Sequence, residues 1–312
     1  MSKKRDRRRR PQPPGRLERR AEADAPEPPR RRGLFGGQAG ESPYPPIGVS
    51  LARGFRAVGG SPILLAVPFV LLAALWGIFA GFDTDIPPQG LVLLTGLPPV
   101  SVRLDIFVVT GITESAVWTT VFVLALATIR AAVLGAVALA IVARLRDESP
   151  RDALRRLPRV TGVLFLVLSL EFAMVVAIPL LLQTLAGPAL AELGFIAALV
   201  LGLHYLGMAL VIPAAETDAA ANVLRRSFRA ARLPGPRHLL LVVAYFSFVF
   251  WSASIAPGGA LAPATPSVAV WAFALLASFI HFGVLGALAY RWLAVRDQVP
   301  RPERTEPRRA RT

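Results

Sequence analysis

The chain has 312 residues, 54% of them hydrophobic, with a mean hydropathy of +0.52 and a formal net charge of +15. Its continuous apolar runs of about twenty residues match a hydrocarbon layer of about 30 Å at about 1.5 Å per helical residue, which excludes an ordinary soluble domain and argues against a β-barrel. With no Cys, disulfides, thiolate metal sites and cysteine nucleophiles are excluded as well.

Residues 1–50 are rich in Arg, Pro and Glu. They bring too few apolar side chains to offset the entropy of ordering, so a disordered tail is expected. Its KKRDRRRR run reads as a topology anchor resting on anionic headgroups. About fifty residues separate this basic start from the first apolar run, so no cleavable signal peptide is expected and the first crossing serves as the insertion signal.

Residues 51–296 read as an all-α, polytopic transmembrane bundle of six crossings, at about 62–82, 115–145, 160–185, 193–212, 238–255 and 267–292. Residues 297–312 form a second basic tail. The first crossing opens with Ser61-Pro62, a cap followed by the residue that suits a first helical turn. Of the 35 Lys+Arg, 33 fall in the stretches up to Arg56, 144–159, 225–237 and from Arg291 onward. Only Arg103 lies in the opposite loops, and Arg130 lies within a crossing. The positive-inside rule then places both termini in the cytoplasm, in the cell (inner, cytoplasmic) membrane. The stretch 86–112 is apolar but broken by Gly96-Leu97-Pro98-Pro99 and by Arg103 and Asp105, so it reads as a surface-lying or re-entrant element rather than a span.

The segment 216–238, ETDAAANVLRRSFRAARLPGPRH, organises the rest. Thr217, Ala220, Leu224, Phe228 and Ala231 fall on one helical face, and Arg225, Arg229 and Arg232 on an adjacent one. Acidic residues open the helix, arginines close it, and Leu233-Pro234-Gly235-Pro236 stops it. LARGFRA at 51–57 agrees with LRRSFRA at 224–230 at five of seven positions, and ALRRLPR at 153–159 is a weaker echo. The chain therefore reads as three units, each a basic amphipathic segment plus a helical hairpin. Arg53, Arg56, Arg155, Arg156, Arg225, Arg226, Arg229 and Arg232 are the expected lipid-headgroup ligands. The polar cap followed by NVLRRSFRAAR and another crossing resembles a group of bacterial and archaeal six-helix membrane proteins. It is similar to the membrane domain attached to some glycerophosphodiester phosphodiesterases. The resemblance implies architecture alone, because the soluble catalytic barrel is absent.

Ionisable residues inside crossings are costly and often functional. Arg130 and Glu171 sit at matching depths on adjacent antiparallel helices and are expected to pair, as a polar lock or as part of an ion-linked site. His204 and His281 read as satisfied bundle histidines rather than metal ligands, and Asp83, Asp85 and Asp105 lack a third close ligand. No phosphate loop, Gly-x-Ser-x-Gly or His-Glu-x-x-His occurs. No catalytic or metal site and no cofactor is expected. The leading function is a non-enzymatic membrane protein binding anionic lipid, and a cytoplasmic partner, through its basic segments, without specific nucleic-acid binding. The alternatives are a transporter or export component using Arg130 and Glu171, and a lipid-modifying enzyme.

Overall fold

The structure, a computed structural model, describes residues 42–81, 93, 95–101, 115–255 and 267–300. The described residues all fall within the compact unit Ser42–Thr312. Helix α1 (Ile47–Gly59) follows Pro45-Pro46 and is closed by the Gly60 N–H, which donates to Arg56 O and Val58 O. Helix α2 (Pro62–Gly81) opens on a proline, whose missing N–H costs nothing in a first turn. The axis turns by 96° between α1 and the start of α2.

Helix α3 (Ala116–Leu145) is 30 residues long, about 45 Å at helical rise. Asp147, at φ 55, turns the chain into the short α4 (Pro150–Leu154) and then α5 (Leu157–Ala186). One residue, Gly187 at φ 89, both ends α5 and caps α6 (Pro188–Leu206). A left-handed conformation with no Cβ penalty lets two spans reverse without a loop. The hairpin closes on Gly194, where a Cβ would lie 2.0 Å from Leu182 Cδ1.

Helix α6 breaks into a 3-10 turn at Gly207–Leu210 and resumes as α7 (Ile212–Ala215). The amphipathic α8 (Ala220–Ala231) follows, then α9 (Arg237–Ile255) and α10 (Val268–Val295). The Ser267 hydroxyl caps α10 by accepting from Val270 N. A last 3-10 turn, Arg296–Gln298, ends the described chain near Pro300. The expected all-helical bundle is what forms, with no strand among the described residues. Five helices are long and apolar enough to cross a membrane, or six if the bent α1–α2 pair counts as one.

Three sequence expectations change. The tail was expected to run to residue 50, but Tyr44 is fully buried and α1 starts at Ile47; the rest of the expected tail, residues 1–41, lies outside the described residues. The loop expected before residue 193 shrinks to Gly187, for the backbone reason above. The middle basic segment is not a continuous amphipathic helix, because Pro158 belongs to the first turn of α5, and Arg155 and Arg156 fall in the break after α4.

Candidate functional site

The four basic stretches converge on one end of the bundle. Hydrogen bonds run from Arg146 Nη1 to Ala215 O (2.9 Å), from Arg159 to Asp218 O (3.0 Å), from Arg229 to Pro300 O (3.1 Å) and from Arg291 to Pro45 O (3.0 Å). Carbonyls at helix ends and turns have no helical partner, and arginine's forked donors reach several of them at once.

Helix α8 sits at this end with two faces. Its inner face buries Val223, Arg226, Ser227, Ala230 and Ala231. Ser227 Oγ donates to Tyr205 O (2.6 Å) and accepts from Ala209 N (3.0 Å), which satisfies the groups freed where α6 breaks into its 3-10 turn. Arg226, only 2% exposed, is held by Glu216 and by Asp218 (2.6 Å) and lies 4.7 Å above the Trp292 ring. Arg226 is therefore a structural hub, not the lipid ligand expected from the sequence: its guanidinium is already surrounded by carboxylates. The outer face exposes Arg225, Phe228, Arg229 and Arg232.

Helix α1 repeats the pattern against α10. Gly54 faces the backbone there so closely that a Cβ would lie 2.3 Å from Gly283 O. Arg53 and Arg56 point outward and are exposed. Arg155 is exposed near Asp152 (3.4 Å), and Arg156 is partly exposed and pairs with Glu148 (3.3 Å). A cavity of about 710 Å³ opens at the same end, lined by Arg146, Glu216, Thr217, Arg226, Arg296 and Asp297, among others.

Arg291, counted from the sequence as one more charge of the basic tail, is completely buried. It donates to Ser50 Oγ (3.0 Å), Arg237 O (2.8 Å) and Pro45 O, and its guanidinium lies 5.3 Å from the Tyr44 ring. It thereby straps residues 42–46 onto α9 and α10. Tyr44 Oη completes the strap by donating to Ala230 O (2.6 Å), and its ring stacks on His238. Burial raises the Tyr44 pKa, so the phenol keeps its proton and the donated bond. The only sequence hint was position: Arg291 lies inside an apolar run, where a charge needs a partner.

A second polar group lies at mid-bundle. All residues from Thr95 to Ser101 are buried, so this part of the stretch 86–112 enters the bundle; most of the rest lies outside the described residues, as do Asp83, Asp85 and Asp105. Thr95 Oγ1 and Ser278 Oγ are 2.5 Å apart. Leu97 N donates to Tyr245 Oη (2.8 Å), which lies 2.9 Å from His281 Nδ1. Pro99 packs against Gly202, where a Cβ would lie 3.1 Å from Pro99 Cγ.

Arg130 and Glu171 are each the fifteenth residue of a 30-residue helix. Both are buried, but neither Glu171 oxygen has a hydrogen-bond partner among the described residues, so the expected lock is not formed. Arg130 instead lines a groove of about 160 Å³ with Thr119, Thr120, Leu168, Ser169 and Phe172. His204 does not pack on His281; its ring lies 5.1 Å from that of His238, whose Nε2 is 2.9 Å from His204 O. No cluster of three or more potential metal ligands occurs among the described residues.

Several long apolar helices, closed on themselves by buried hydrogen bonds, define a multi-pass α-helical membrane protein. No protein-family model, curated protein or solved structure matches this chain.

Proposed function

We propose that this protein is a non-enzymatic component of the cytoplasmic membrane that holds anionic lipid headgroups, and through them or beside them a cytoplasmic partner, at its basic end. That end, with both termini, lies on the cytoplasmic side, as the positive-inside rule requires of such an arginine excess. The observation that carries the reading is the division of labour among the arginines. The fold consumes Arg226 and Arg291 internally, yet leaves Arg53, Arg56, Arg225 and Arg232 exposed with no acidic partner among the described residues. A guanidinium left outward on an amphipathic helix, beside a half-exposed Phe228, matches a phosphate above and acyl carbon below. Each such cation near an anionic surface contributes about 1 kcal/mol of attraction. The resemblance of 216–232 to the membrane domains described above supports the architecture and adds no catalytic step.

The test is native mass spectrometry of the full-length protein released gently from its own membrane, with a triple variant R225Q/R229Q/R232Q alongside. The wild type retains phosphatidylglycerol or cardiolipin, and the triple variant retains at least tenfold less at an unchanged melting temperature. Equal retention by both would end the lipid reading.

A further inference from the structure

The interior of the bundle is built in a way that headgroup binding does not use. Irregular backbone is tolerated at membrane depth only where protein or a water-lined path surrounds it. Here the segment 95–101 reaches the middle of the bundle. Its partners mark the depth: Tyr245 is the ninth of 19 residues in α9, and His281 the fourteenth of 28 in α10. Pro98 and Pro99 bring carbonyls but no N–H groups; Gly96 N and Val100 N bond locally to Leu93 O and Leu97 O, and Leu97 N and the Thr95 hydroxyl bond to side chains of α9 and α10. Glu171, the fifteenth of 30 residues in α5, is 0% exposed with both oxygens unpartnered. It lies on the buried stripe of α5 with Val167, Leu168 and Val175, which belong to the same core cluster as Leu97, Val100 and Tyr245.

A carboxylate so placed is stable only when it carries a proton or a cation, because an isolated buried charge is too costly. Of the elements packed against α5, α3 brings Arg130 and Arg144, α6 brings Glu192 and His204, and α8 brings Arg225, Arg226 and Arg229; none hydrogen-bonds to Glu171. From the far side of the core come Tyr245 and His281, already bonded to each other.

We propose that the bundle is a proton path in which Glu171 is the proton-carrying residue and the inserted segment 95–101 is its closed gate. A proton enters from one side, neutralises Glu171 as the carboxylic acid, and leaves to the other side when the carboxylate re-forms. The membrane potential or pH gradient supplies the driving force. Thr95–Ser278 and Leu97–Tyr245 are the contacts that keep the gate in place, and their exchange for water opens it.

The experiment reconstitutes the full-length protein in liposomes loaded with a pH-sensitive dye, under a potassium–valinomycin potential of either sign. Wild-type vesicles acidify or alkalinise at least tenfold faster than empty ones. E171Q, which keeps the side-chain shape, falls to the empty-vesicle rate with an unchanged melting temperature. Y245F and S278A, each of which removes one gate bond, raise the rate at least threefold. R151Q, at an exposed arginine that belongs to neither site, leaves it unchanged. If E171Q misfolds, E171D and the two gate variants decide the matter. Wild-type flux no faster than empty vesicles, flux that E171Q retains, or flux of sodium or potassium in place of protons overturns the proposal.

Discussion

Helices α1 and α8 carry nearly the same seven residues and bury nearly the same positions. Counting from Leu51 and Leu224, the fourth and seventh residues, Gly54 with Ala57 and Ser227 with Ala230, face the protein. The second and sixth face outward in both. They part at the third position, where Arg53 is exposed and Arg226 is 2% exposed. The difference comes from the preceding chain. Helix α8 is led by Glu216 and Asp218, which receive the guanidinium, whereas α1 follows Pro45-Pro46, with no acid among the described residues before it. The same motif thus becomes a buried hub or a surface charge according to what lies eight to ten residues upstream.

The fourth position separates them again. Gly54 allows backbone-to-backbone packing of α1 on α10, while Ser227 uses its hydroxyl to mend the broken end of α6. One copy fixes distance, and the other fixes hydrogen bonds.

The sharpest way to break the comparison is to remove the arginines at the third position. Arg226→Ala removes the buried guanidinium that Glu216 and Asp218 share, and losing one partner of a buried ion pair costs about 3–5 kcal/mol. Arg53→Ala removes an exposed charge and changes stability by less than about 0.5 kcal/mol. Thermal unfolding in lipid nanodiscs should show a large drop in Tm for the first and almost none for the second. Similar drops in both would mean that the two copies are used alike.

Next in size are the fourth positions. Gly54→Ala places a methyl group against Gly283 O and the Ala287 backbone, and overpacking of that kind costs about 1–3 kcal/mol. Ser227→Ala leaves Ala209 N and Tyr205 O without their partner, a loss of about 1–2 kcal/mol. Gly54→Ser distinguishes the two uses: it fails at α1 although serine is the residue found at α8. If Gly54→Ser left Tm unchanged, the close approach of α1 and α10 would not be what selects glycine.

What the sequence makes legible here follows from what periodicity and hydropathy measure. Long apolar runs report spans, and the i, i+4, i+7 spacing of Arg225, Arg229 and Arg232 reports one outward face. The same spacing sets Arg226 about 100° away from Arg225, toward the buried side, and grouping all the arginines as lipid ligands overlooks that angle. Position along the helix was legible for Arg130 and Glu171, because residue counting places each midway along its own span. Azimuth was not: Glu171 falls in phase with Val160, Leu164, Val167 and Val175 on the core stripe, while Arg130 opens onto a groove shared with Thr120 and Ser169. The insertion of 95–101 and the role of Arg291 were hidden for another reason. Both rest on partners more than 140 residues away in sequence, such as Tyr245 for Leu97 and Ser50 for Arg291.

The smallest expected effect concerns the strap that only α8 receives. Tyr44→Phe keeps the ring on His238 but removes the bond to Ala230 O, for a loss of about 1 kcal/mol. The pH dependence carries the sign. Burial raises the folded-state pKa of Tyr44 above that of a free phenol, so the folded form holds a proton that the unfolded form releases first. The strap's contribution is complete below about pH 10, the unfolded value, and declines as pH rises beyond it. Wild type should therefore lose Tm relative to Tyr44→Phe only above about pH 10, with a constant offset below. An offset that stayed the same up to pH 11 would mean that the hydroxyl bond to α8 contributes nothing that ionisation can remove, and the strap would then rest on Arg291 alone.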